Sequence, residues 1–377
     1  MRTGAIVLFA LLLLTACGHR KQEPQVTPWG TTVDSIPEVS DEFDLADIQR
    51  NGELIALTLT GPETYYEYHG RHLGAQYLLA QRFADRLGVS LRMEVCRDTA
   101  EMRQRLADGE ADLVCYPVEK SGVGWLVGDG KDDLKRELLA WYKPAMLDEV
   151  KKEEDFLLSS RSVKRRVFSP MLDRAGGVIS HYDGLFRQYA QTIRWDWRLM
   201  AAQCYQESTF DPQARSWAGA CGLMQIMPAT ADHLGLARAD IYDPEKNIAA
   251  AARLLGELER SFSDIPNPAE RTKFVLAAYN GGGFHIRDAM RLAEKHGRNA
   301  QRWADVEPYV LGLANPEYYN DPVVRNGYMR GSETVGYVRK IHERWDAYRG
   351  VKTPRAAQSP SGVPQKATHE RKKKYQI

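Results

Sequence analysis

The stretch Asp196-Trp197-Arg198-Leu199-Met200-Ala201-Ala202-Gln203-Cys204-Tyr205-Gln206-Glu207-Ser208-Thr209, with Phe210-Asp211-Pro212 behind it, decides the reading of the C-terminal half. Asp196 can cap a helix by accepting from backbone N–H groups that the first turn leaves free. The Asp211-Pro212 pair stops it, since proline removes a donor and clashes with the preceding turn. The same punctuation recurs. Asp243-Pro244 opens a helix to about Phe262, Asn267-Pro268 opens one ending at Tyr279-Asn280, and Ser332 is the expected cap of a last long helix that Gly350 closes. Tyr182 to Ile193 reads as a further helix. No strand pattern of comparable quality interrupts this region, so residues 180–350 are expected to form a mainly α domain.

Upstream the pattern alternates. Leu54 to Thr60, Leu91 to Cys96, Ala111 to Val118 and Gly124 to Val127 read as strands, and Gly74 to Leu87, Thr99 to Ala107 and Asp132 to Tyr142 as helices. Strand and helix in alternation predict a parallel α/β sheet over residues 44–155. Residues 156–179 form a basic connector containing Arg161-Ser162-Val163-Lys164-Arg165-Arg166, and Gly176-Gly177 marks its end. Residues 351–377 are rich in Pro, Ser and charge, including Arg371-Lys372-Lys373-Lys374, and such a composition cannot bury a core. They are expected to be a disordered tail, solubilising or in contact with anionic wall polymer or lipid.

The first residues bear on location. Ala5 to Leu14 is unbroken apolar sequence after Met1-Arg2, too short to span a bilayer, which takes about 20 residues, and suited to a secretory leader. Leu14-Thr15-Ala16-Cys17-Gly18 resembles a bacterial lipobox. That resemblance makes residues 1–17 a lipoprotein signal, Cys17 the lipidated residue and residues 18–43 a tether, with the outer membrane favoured. Four cysteines remain, Cys96, Cys115, Cys204 and Cys221, an even number suited to an oxidising compartment. Cys96 and Cys115 end two predicted strands, Cys204 lies one helical turn before Glu207 and Cys221 immediately precedes the Gly222 loop, so Cys96–Cys115 and Cys204–Cys221 bridges are expected. Four buried thiols are the alternative. The nine histidines are scattered and no Cys-x-x-Cys occurs, so neither metal nor cofactor is expected, and a net charge of +1 gives no reason to expect nucleic acid.

Glu207 gains meaning from three later segments: Gly222-Leu223-Met224-Gln225-Ile226-Met227-Pro228, Ala277-Ala278-Tyr279-Asn280-Gly281-Gly282, and Glu333-Thr334 leading to Tyr337-Val338. Cleaving a glycosidic bond needs a proton donor, and ordinary glycosidases add a second carboxylate. None stands out beside Glu207. Asp211 belongs to the helix stop, and Glu333, the next candidate, falls in the first turn of the last helix. One carboxyl suffices when the substrate supplies its own nucleophile. Residues from about Tyr182 to Tyr348 resemble the catalytic domain of the soluble-lytic-transglycosylase family, on these four segments together with Trp303-Ala304-Asp305-Val306 and Gly327-Tyr328-Met329-Arg330-Gly331.

The resemblance implies a lysozyme-like fold and non-hydrolytic cleavage of peptidoglycan glycan strands, with the C6 hydroxyl of N-acetylmuramic acid as nucleophile. It implies Glu207 as acid and base, Ser208, Met224, Gln225, Tyr279 and Asn280 as substrate contacts, and Tyr337 with its hydroxyl near Glu207. A hydrolytic muramidase and a non-catalytic wall-binding lipoprotein are the alternative readings. Leu54-Ile55-Ala56-Leu57, Gly70 to Gly74, Phe83-Ala84 and Gly109-Glu110-Ala111-Asp112-Leu113 resemble periplasmic solute-binding domains that bind amino acids, over about one lobe. The second lobe is reduced to a few residues near Glu119 to Gly122. A cleft needs two walls, so this domain is expected to position or regulate the enzyme, or to act as a spacer. The order of lipobox, solute-binding-like module and catalytic domain resembles membrane-bound lytic murein transglycosylases of type F. The implied partners are glycan strands, the membrane through the lipid anchor, and cell-wall synthesis or division complexes.

Overall fold

Why the α/β half forms a sheet is visible in its central strand. In this computed structural model, which describes residues 43–119 and 122–350, strand β1 (Glu53–Thr58) is buried along most of its length. It lies between β4 (Ser90–Val95) and β5 (Leu113–Val114), parallel to both, and β6 (Leu126–Val127) runs antiparallel on β5, giving the order β4-β1-β5-β6. Strands buried on both faces read as apolar runs, which is why Leu54 to Leu57 was legible. Helices α1 (Leu45–Asn51), α2 (Ala75–Leu87), α3 (Thr99–Ala107), α4 (Asp132–Trp141) and α5 (Ala145–Leu158) surround the sheet. Leu79, Ala80 and Phe83 of α2 pack with Leu54, Leu113 and Leu134 in its main core. Strand β5 is shorter than Ala111 to Val118. The Asp112 carboxylate accepts from Ile55 N at 2.8 Å and pairs with Lys131 at 3.2 Å, so a side chain replaces part of the ladder.

Two expectations fail here for physical reasons. Cys96 and Cys115 are unpaired buried thiols. Cys96 N donates to Thr58 O and Cys115 N to Leu57 O, so the two residues lie on opposite sides of β1. Two strand spacings are about 9.5 Å, beyond the roughly 7 Å limit between the Cα atoms of a disulfide. The sulfurs also enter different apolar clusters. The start of the connector, in turn, is helical through Leu158, because α5 lays Val150 into the core and buries Glu154. Cys17, the tether to residue 42 and the tail 351–377 lie outside the described residues.

A second, smaller element in this half was not anticipated: a hairpin of β2 (Tyr66–Tyr68) and β3 (Arg71–Leu73), joined by His69-Gly70. Both turn residues have positive φ, +47° and +67°, the signature of the tight turns that match strand twist. Tyr66 and Leu73 form a buried cluster with Tyr328, against which Leu157, Trp217 and Tyr319 pack. The hairpin is therefore held by residues from both halves of the chain.

The helical half consists of α6 (Asp183–Thr192), α7 (Trp197–Ser208), α8 (Pro228–His233), α9 (Pro244–Ser261), α10 (Pro268–Gly281), α11 (Gly283–Lys295), α12 (Trp303–Gly312), α13 (Pro316–Tyr319) and α14 (Gly331–Arg349). Helix α7 is central and packs between α6 and α14. One continuous core contains Phe186, Met200, Phe274, Leu276 and Ile341. The caps at Asp196, Asp243 and Asn267 form as the sequence indicates. Ser332 does not cap α14. That helix begins at Gly331, where a Cβ would collide with the Val310 carbonyl, and Arg330 takes the cap position. Gly350 follows the last turn in right-handed conformation, φ −69°, so it is not a left-handed cap.

Candidate active site

Glu207 sits in the last turn of α7, which ends because Thr209 and Phe210 turn left-handed, φ +55° and +63°. Its carboxyl faces a cleft of about 1510 Å³. The Tyr337 hydroxyl, on α14, donates to Glu207 Oε1 at 2.5 Å, and Arg165 Nη1 donates to the Glu207 backbone carbonyl at 2.9 Å. Burial pushes the Glu207 carboxyl up to about 7, although the Tyr337 hydrogen bond and the charges of His69 and Arg165 oppose the rise. A carboxyl with that value carries its proton through much of the neutral range, as a general acid must. Gln203, one turn earlier on α7 and fully buried, lies beside the same Tyr337 hydroxyl.

The Gly222 loop forms one wall, and a residue the sequence did not single out fixes it. Asn247 on α9 is fully buried, accepts from Met224 N at 2.8 Å, and donates to Cys221 O at 3.1 Å and Ile241 O at 2.8 Å. Gly222 lies against this carboxamide at φ +80°, where a Cβ would come within 2.5 Å of Asn247 Nδ2. Gln225, also left-handed at φ +49°, lines the cleft and donates to Ala214 O and Gly222 O. Tyr279 lines it too and donates to Met224 O at 2.7 Å, while Asn280 accepts from the Thr334 hydroxyl at 2.7 Å.

Three expectations are corrected by this geometry. Ser208 is fully buried and its hydroxyl donates one turn back to Cys204 O at 3.2 Å, so it faces the helix and not a sugar. Met224 is fully buried in the core, because the loop that Asn247 pins turns it inward, and Met227 lines the cleft instead. Cys204 and Cys221 are unpaired thiols whose sulfurs have other partners. Cys204 Sγ donates to Leu223 O at 3.3 Å, and Cys221 Sγ donates to Gly219 O and lies 3.2 Å from the Tyr242 hydroxyl.

Glu333, the second acidic candidate, is placed differently from Glu207. Both its oxygens accept from the Tyr68 hydroxyl, at 2.7 and 2.9 Å, and His69 Nε2 and Arg330 Nε lie 3.6 and 3.8 Å away. Burial alone would raise this carboxyl, but the close approach of His69, the hydrogen bonds from Tyr68 and the charge of Arg330 outweigh it and hold it below the usual range. Glu333 is thus a carboxylate occupied by donors, and Glu207 is the carboxyl that burial makes easier to protonate. Environments that push two carboxyls apart assign them different roles. Tyr68 and His69 come from the hairpin of the α/β half and were missed by sequence reasoning. The strands beside His69-Gly70 are too short to give a periodic signal, and nothing in their sequence indicates a partner 265 residues away. Among the described residues no group of three or more His, Cys, Asp or Glu side chains is arranged to hold a metal ion.

The family model described as the Transglycosylase SLT domain matches residues 184–301, from α6 to just before α12. The chain is similar to membrane-bound lytic murein transglycosylase F. The protein of that name from Desulfosudis oleivorans is 33% identical over 241 residues, covering 62% of this chain and 51% of that one. The one from Marinobacter nauticus is 40% identical over 186 residues, covering 49% of this chain and 36% of its own length. The chain thus spans about half or less of the length of these curated relatives. Among solved structures, the 70 kDa soluble lytic transglycosylase SLT70 of Escherichia coli is 27% identical with a TM-score of 0.33, over 44% of this chain and 24% of that one.

Proposed function

We propose that this protein is a peptidoglycan lytic transglycosylase that cleaves the bond between N-acetylmuramic acid and N-acetylglucosamine without water. The observation that carries the reading is the Glu207–Tyr337 pair: one carboxyl raised by burial to about 7 in a cleft whose other near carboxylate, Glu333, is occupied by donors. Glu207 gives its proton to the glycosidic oxygen as the bond from the muramic acid C1 breaks. As a carboxylate it then takes the proton of the C6 hydroxyl, whose oxygen closes on C1. The product is a 1,6-anhydromuramoyl end, and Glu207 leaves the cycle protonated.

Tyr337 stabilises the carboxylate form between the two steps, because its hydroxyl donates to the charged oxygen. Gln225, Tyr279 and Asn280 bound the sugar subsites. Residues 180–350 act as a lysozyme-like catalytic domain, and residues 44–155 as a one-lobed relative of the solute-binding domains, covering the catalytic cleft in place of holding a solute. The chain works outside the cytoplasm, anchored through Cys17 to the outer membrane, in wall turnover or remodelling, with wall synthesis or division complexes as its protein partners. The similarity to transglycosylase F relatives and the match of residues 184–301 to the SLT family model support the reaction. The test is Glu207→Gln incubated with purified sacculi. Loss of all anhydromuropeptide release from a folded protein is expected, and release at the wild-type rate would refute the assignment.

A further inference from the structure

Every polymer-cleaving groove must either let the chain run through or stop it, and the hairpin Tyr66–Leu73 bears on that choice. Its residues touch both walls of the cleft. Toward the Gly222 loop, the Tyr68 ring lies parallel to Trp217, 2° between planes and 6.1 Å between centroids. On the same side Arg71 Nε donates to Ala218 O at 3.1 Å. Toward α14, the Tyr68 hydroxyl donates to both oxygens of Glu333, and Tyr66 packs edge-on against Tyr328 at 5.0 Å. Glu207 lies between these walls, close enough to His69 for the imidazole to act on its charge.

The bridge is firmly seated. Glu154 of α5, buried, accepts from the Tyr66 hydroxyl at 2.6 Å and from Gly74 N at 3.1 Å, one residue beyond β3. Thr60 Oγ1, ahead of the hairpin, accepts from Tyr328 N at 3.1 Å. The turn places His69, a residue with a Cβ, at φ +47°, a conformation that such residues seldom adopt. Together these contacts tie the hairpin to the floor of its own half and to both walls of the other.

We infer that this hairpin is an end wall of the substrate cleft, and that it confines the enzyme to the ends of glycan strands, with Tyr68 and His69 facing the terminal sugar. A strand lying through the groove would have to occupy the space between Trp217 and Glu333 that Tyr68 fills. A strand terminus needs only the part of the cleft on the Glu207 side. Specificity for chain ends is then a property of the α/β half, which gives that half a role in the reaction without a solute of its own. The inference rests on the cleavage reaction proposed above, but the size of the products and the chemistry of their ends are separate observables.

The experiment uses long, uncrosslinked glycan strands of defined length and follows the earliest products by chromatography and mass spectrometry. The wild-type protein is expected to release disaccharide units from the first turnovers while the remaining strands shorten gradually. The double variant Tyr68→Ala, His69→Gly is expected to shift the earliest products to oligosaccharides from internal cuts. Early internal fragments from the wild type would overturn the end wall, and this arm decides the matter even if the double variant does not fold. A double variant that works faster but yields the same disaccharides would also overturn it, making the hairpin a gate. Disaccharides that carry reducing ends would uphold the end wall while sinking the non-hydrolytic reading.

Discussion

Replacing Glu207 by Gln should stabilise the fold at high pH, and by an amount the site itself sets. In the unfolded chain this carboxyl titrates near its ordinary value of 4.5, and in the folded protein near 7. The folded state therefore binds the proton more tightly, and stability falls as pH rises wherever the native state holds more protons than the unfolded one. The stabilisation owed to the protonated form is complete below about pH 4.5 and is lost as pH rises through about 7. The difference of about 2.5 units, at about 1.4 kcal/mol per unit, amounts to about 3 kcal/mol. Glutamine keeps an oxygen for the Tyr337 hydroxyl and has no charge to lose. Urea unfolding of both proteins at about pH 4 and about pH 9 should show the stability gap moving by about 3 kcal/mol in favour of Glu207→Gln at the higher pH. A gap that stays constant with pH would refute the reasoning, since it would mean that Glu207 titrates alike in the folded and unfolded chain.

Removing the hydroxyl by Tyr337→Phe takes away the donor that favours the Glu207 carboxylate, so the alkaline limb of the pH–rate profile should move to higher pH while kcat falls; an unmoved limb would contradict the assigned hydrogen bond. Asn247→Ala should lower stability by about 2–4 kcal/mol, because it leaves Met224 N and Ile241 O unpaired inside the core and takes from Cys221 O one of its two donors, the other being Ile226 N. Chemical denaturation measures that loss, and the kcat/KM on glycan strands should fall with it as the Gly222 loop loosens. Thiol titration of the denatured, unreduced protein should find Cys96, Cys115, Cys204 and Cys221 all reactive, and a count short by two would restore one of the bridges.

The helical half was legible because its signals are local. Asp196, Asp243-Pro244 and Asn267-Pro268 each announce a helix start by chemistry confined to one turn, and α7, α9 and α10 begin there. Glu207 and Tyr337 were legible as a pair only through the family resemblance, since they lie 130 residues apart and nothing in the spacing says that α7 and α14 pack together. What the sequence hid depends on direction. Ser208 and Met224 neighbour true cleft residues, yet a one-residue step along a helix or pinned loop turns a side chain through a large angle, and both point into the core. The cysteine pairing failed through strand order. Adjacent predicted strands β4 and β5 take the two outer sides of β1, a topology that periodicity does not reveal. The hairpin around His69-Gly70 was overlooked because two strands of three residues each carry almost no periodic signal, and its meaning comes from Trp217 and Glu333 in the other half.

The central claim is that the bond breaks without water, and digestion of purified glycan strands in water enriched in oxygen-18 tests it most directly. Mass spectrometry of the products is predicted to show 1,6-anhydromuramoyl ends, lighter by one water than reducing ends and free of the label. Reducing muramic acid ends carrying oxygen-18 would contradict the account and make Glu207 the acid of a hydrolase.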